Sequence, residues 1–68
     1  MDEEAFNQST RKYLKKLGVT TQREIEAAVR QQLESGALQG DEELDIRATV
    51  TVQGVPQEIT IPGTIKLT

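Results

Sequence analysis

Hydroxyls and carboxylates are the reactive groups this sequence holds in number. Its 68 residues include no Cys, no His and no Trp, so it offers no thiolate nucleophile, no imidazole acid or base and no soft metal ligand. Ser9, Thr10 and Ser35 lack the base that would activate them, and a lysine takes that role only when burial depresses its pKa. Lys12, Lys15 and Lys16 instead fall together at helical spacing, the arrangement of a solvated basic face. Two carboxylates can divide acid and base work, but none is embedded in an apolar segment. Asp45 and Glu58 come nearest, and alternation turns both outward. The densest acidic run, GDEELD from Gly40 to Asp45, has its glycine ahead of nearly contiguous acids. A calcium loop of the EF type instead alternates its ligands about a central glycine and closes on a distant Glu. The expectation is a protein that is not an enzyme, with no catalytic residue, no metal site and no cofactor. The acidic run reads as a solvated linker beside an apolar strand.

Binding surfaces are better represented. Arg11, Lys12, Lys15 and Lys16 form the one basic cluster and are the candidate interaction surface. An alternative lies in YLKKLGVTTQREIEAAV, which has the pattern of a helix-turn-helix: an apolar helix end, Gly18-Val19-Thr20 at the turn, then a capped helix. In that winged helix-turn-helix reading Gln22, Arg23, Glu26 and Arg30 face a major groove. Charge argues against it. The chain carries 11 acids and 8 bases, a net charge of −3, and its first 34 residues hold six of each. Phosphate binding favours a clear basic excess.

The elements that position these groups follow from a change of periodicity near Gly40. Phe6, Thr10, Tyr13, Leu14 and Leu17 recur at helical spacing, with Asp2 as cap and Glu3 and Glu4 at the positive dipole end, predicting a helix over 2–17. Gly18 is the expected left-handed stop, with Lys15 and Lys16 near the negative end. Thr21-Gln22-Arg23-Glu24 fits a capping box, and Ile25, Ala28, Val29 and Leu33 follow, predicting a second helix over 21–35. Leu38 anchors the linker after Ser35-Gly36. From Leu44 onward apolar and polar residues alternate, predicting strands over 44–53 and 58–67. Pairing Val52 with Ile59 aligns Val50 with Ile61, Ala48 with Gly63, Ile46 with Ile65 and Leu44 with Leu67. It also sets Thr51 against Thr60 and Asp45 against Lys66. Pro62-Gly63 leaves a choice between a bulge within one strand and a turn between two; unbroken parity favours the hairpin. The expected fold is α+β, a single small domain over 1–68 in ααββ order, with a helical hairpin packed on an antiparallel β-hairpin.

The acidic MDEEAF start and the lack of any long apolar run predict a cytoplasmic protein with no membrane segment. So small a core, with two unpaired strand edges, points to a homodimer or an unidentified protein partner. DEEAFNQSTRKYLKKLGVTTQREIEAAV, with the later SGALQG, resembles a family of small bacterial proteins that carries only a domain-of-unknown-function label. KKLGVTTQREIE, Lys15 to Glu26, is its most specific stretch. The resemblance implies a cytoplasmic bacterial protein of αβ type, with no activity or site to transfer.

Overall fold

Asp2 sets the start of the first element in the way its position predicts. In the computed structural model, which describes residues 1–68, Asp2 is extended at φ −86°, ψ 103°. Its carboxylate accepts from the backbone N–H groups of Glu4 at 3.0 Å and Ala5 at 3.1 Å. Its carbonyl accepts from the N–H of Phe6. The carboxylate thereby satisfies two of the donors that a helix start leaves unpaired, and the Phe6 bond is the first of the helical ladder. Helix α1 then runs over Glu3–Ser35, 33 residues, as one element.

The expected helical hairpin is therefore wrong, and the ααββ order becomes αββ. Gly18 does not adopt a positive φ; it continues the helix. Glycine in a helix interior costs about 1 kcal/mol relative to alanine, which weakens a helix without ending it. No proline lies within α1, and the Ala, Leu, Glu, Gln, Lys and Arg that flank the weak Gly18-Val19-Thr20-Thr21 stretch are strong helix formers. Thr21 is mid-helix, so the capping box it appears to begin is not a cap. Gln22 makes a local contact instead, its side-chain amide donating to the Glu26 carboxylate at 3.3 Å. Lys15 and Lys16 likewise lie mid-helix and leave the C-terminal carbonyls uncompensated by charge. The left-handed stop is Gly36, at φ 83°, whose N–H bonds the Leu33 carbonyl.

Thr10 shows how a polar residue occupies the apolar stripe. Its hydroxyl donates back to the Phe6 carbonyl at 2.8 Å, so its polar group is paired within the helix itself.

The chain divides into two units, Met1–Ala37 and Leu38–Thr68. In the second, strands β1 (Glu43–Val50) and β2 (Ile59–Lys66) form an antiparallel two-stranded sheet. The hairpin is the expected one, and Pro62-Gly63 lies within a single strand. The register is not the expected one. Val50 faces Ile59, Ala48 faces Ile61, Ile46 faces Gly63 and Leu44 faces Ile65, a shift of two residues. A shift of two preserves the inward set, so alternation alone does not exclude it. The connection decides. Val55 N–H bonds the Val52 carbonyl at 3.0 Å, and Gly54 sits at φ 84°, the third position of a type II turn. Val52 belongs to that turn, and the strands end at Val50 and Ile59. The register then sets Lys66 beside Glu43, 3.6 Å apart, in place of Asp45. Ile46 Cγ2 lies 3.3 Å from where a Gly63 side chain would begin, so the glycine leaves room for the isoleucine.

No side chain in the molecule is fully buried. Leu17, Ile25 and Val29 on α1 are half-buried, as are Leu38 in the linker and Leu44, Ile46, Val50, Ile65 and Leu67 on or beside the strands.

Candidate interaction surfaces

Because α1 does not break, residues assigned by sequence to two helices share one. At 3.6 residues per turn, Arg11, Lys12, Lys15, Lys16, Gln22, Arg23 and Arg30 all fall within about 140° of arc. Every one of them is exposed. The candidate interaction surface and the alternative DNA-reading face are thus one basic face, about 28 Å long from Arg11 to Arg30. Glu26 lies within it, and Val19 is 47% exposed at its middle. The winged helix-turn-helix reading loses its geometry, since the turn at Gly18 to Thr20 is helical and no second helix exists to enter a groove.

The opposite side of the first half of α1 carries Phe6, Tyr13 and Leu14, exposed by 57%, 58% and 51%. Ile25, Ala28, Val29 and Leu33 continue the apolar surface but rotate about 90° around the axis, because they recur nearer every four residues than every 3.6. The apolar surface therefore winds along α1 as two facets.

On the hairpin, the pairing alternation fixes which backbone groups point outward. Leu67 N–H bonds the Glu42 carbonyl at 3.1 Å, so that pair and every second pair from it exchange hydrogen bonds. Leu44–Ile65, Ile46–Gly63, Ala48–Ile61 and Val50–Ile59 are the bonded pairs, and the odd-numbered residues of β1 turn their N–H and C=O to the open edge. On β2 the outward set is Thr60, Pro62, Thr64 and Lys66. Pro62 sits where its missing N–H costs the ladder nothing, and it breaks the outer edge of β2. An open depression of about 670 Å³ crosses the hairpin, lined by Asp45, Ile46, Arg47, Pro62, Gly63 and Thr64.

One acid has a role that its neighbours in the linker lack. Glu42 turns its carboxylate back onto the N–H groups of Gln39, at 3.1 and 2.9 Å, and Gly40, at 2.9 Å. These donors, Gln39 foremost, hold the Glu42 carboxyl below the usual glutamate range. The readable sign was a carboxylate two residues beyond a glycine that needs φ 104°, a turn that a side-chain acceptor closes. The hydroxyls are similarly committed: Ser9 donates to the Phe6 carbonyl and Ser35 to the Gln32 carbonyl. No helix is long and apolar enough to cross a membrane.

Compared with known protein families, residues 1–68 match one family model, described as a family of unknown function. No curated protein and no solved structure matches the chain.

Proposed function

Since the chain belongs to DUF6494, a family of unknown function, we propose from its own surfaces that it is a noncatalytic protein-interaction module that associates with itself. The observation that carries this reading is the exposure of the apolar residues: Phe6, Tyr13, Leu14, Ile59 and Ile61 are each about half exposed or more. On each unit by itself, apolar side chains that share a face and stay in water mark a contact site, and a lone two-stranded hairpin is marginal until another element extends or covers it. The noncatalytic part is supported by the hydroxyls of Ser9, Thr10 and Ser35, each bonded to a backbone carbonyl three or four residues before it. A site in the bacterial cytoplasm is part of the same proposal, supported by the family resemblance of the Lys15 to Glu26 segment.

Light scattering across a concentration series tests it. The mass is expected to rise from one 7.5 kDa chain toward twice that value, with at most a few-fold weakening between low and high salt, because backbone pairing and apolar contact are weakly screened. A mass fixed at one chain into the millimolar range overturns the reading.

A further inference from the structure

We propose that the outer edge of β1 pairs antiparallel with the same edge of a second copy, across a two-fold axis at Ile46. The result is a four-stranded sheet in the order β2-β1-β1-β2. This deepens the self-association reading and rests on it.

Three observations select the edge, the occupant and the register. First, the two edges differ. That of β2 carries Pro62 at its middle, which removes a donor, whereas β1 presents Glu43, Asp45, Arg47 and Thr49 without a proline. Asp45, Arg47 and Thr49 make no further backbone or side-chain hydrogen bond. Secondly, Asp45 and Arg47 have no charged partner across the hairpin: Asp45 faces Thr64 and Arg47 faces Pro62. Both are exposed, and the sole ion pair is Glu43 with Lys66. Thirdly, these two charges are self-complementary about Ile46. Two-fold pairing there sets Asp45 against Arg47 of the partner subunit, and Arg47 against Asp45 of the partner subunit. Centring on Arg47 opposes two arginines, and centring on Asp45 opposes two aspartates; like charges directly opposite are destabilising.

The backbone permits the same register. Asp45 and Arg47 both have outward groups, so they form a bonded pair, and the four odd-numbered positions of each β1 give about eight intersubunit hydrogen bonds. Opposed residues of antiparallel strands share a face, so Leu44, Ile46, Ala48 and Val50 continue one apolar face across the axis. Four strands pass the size at which a sheet is independently stable.

Charge exchange tests this. Asp45→Arg sets Arg against Arg at both pairs, and Arg47→Asp sets Asp against Asp, so each single variant is expected to weaken self-association about tenfold or more. The double variant Asp45→Arg/Arg47→Asp restores complementarity and is expected to return to within about threefold of the parent. A one-to-one mixture of the single variants is expected to give heterodimers, identified by mass spectrometry under native conditions. Wild-type protein supplies a readout that needs no variant: amide exchange at Asp45, Arg47 and Thr49 slows as concentration rises, while Thr60 and Thr64 on the outer edge of β2 do not change. If the parent associates but the single variants do so equally, or the double variant stays weak, this register is overturned while self-association stands. A parent that is monomeric throughout overturns both. Association with unprotected β1 amides assigns the contact to the apolar facets of α1 instead.

Discussion

Gly18→Pro is expected to remove about 3 kcal/mol of helix stability and most of the helical circular dichroism of the protein. Proline at that position deletes the hydrogen bond to the Leu14 carbonyl and drives its ring against the same carbonyl. It also leaves two segments of about 15 residues each, near the length at which an isolated helix is marginal in water. No side chain of α1 is buried to hold the halves in place. Gly18→Ala gives the opposite sign. A methyl group there meets no heavy atom within 4 Å beyond the adjoining helix backbone, and the helical φ suits alanine, so α1 gains about 1 kcal/mol. Were Gly18 a left-handed stop between two helices, alanine would be strained and the melting temperature would fall. A thermal melt followed at 222 nm reads the sign directly.

The second large effect concerns register. Thr49 faces Thr60 in a pair that exchanges no hydrogen bonds, where Cα atoms approach to about 4.5 Å, inside the range that a disulfide spans. The variant Thr49→Cys/Thr60→Cys is expected to oxidise readily and to gain roughly 3 kcal/mol over its reduced form by closing a loop of about a dozen residues. Thr51→Cys/Thr60→Cys, directly opposed in the register that the apolar alternation and charge matching favour, spans a diagonal of about 7–8 Å and is expected to oxidise poorly. Comparing melts of the oxidised and reduced forms of both variants distinguishes the registers. The reverse order of oxidation would restore the pairing of Val52 with Ile59.

What the sequence discloses depends on whether a signal is obligatory or optional. Asp2 followed by Glu3 and Glu4 marks a start that the structure uses, and Gly36 marks the stop. Gly18-Val19 and Thr21-Gln22-Arg23-Glu24 are equally explicit punctuation, yet they are overridden. A glycine permits a left-handed stop without requiring one, and a Thr hydroxyl caps only when its backbone leaves the helix. The apolar periodicity offers no warning, because both halves of α1 are helical in either arrangement. Alternation over β1 and β2 identified the strands and their inward faces, but its period of two leaves shifts of two residues degenerate. The Gly54 turn and the pairs Glu43–Lys66 and Ile46–Gly63 remove that degeneracy.

The candidate surface is legible residue by residue, whereas its division between two helices does not hold. Arg11, Lys12, Lys15 and Lys16 are exposed, as are Gln22, Arg23 and Arg30, but one face joins what two helices would have separated. Charge matching pairs Asp45 with Lys66, and the two-residue shift sets it opposite Thr64 instead. That placement is what makes Asp45 and Arg47 available to a second chain. In the sequence Glu42 is one acid of a solvated run, whereas in the structure its carboxylate closes the turn at Gln39 and Gly40.

The continuity of α1 underlies both the single basic face and the winding apolar surface, and one distance tests it. The chain has no native cysteine, so Glu4→Cys/Glu34→Cys takes two spin labels without competing sites, and dilution into unlabelled protein isolates the distance within one chain. Thirty residues of unbroken helix separate the labelled backbones by about 45 Å, and a narrow distribution near that value is the expected result. Two antiparallel helices joined at Gly18 would bring the labels within about 20 Å, and a distribution centred there would contradict the account.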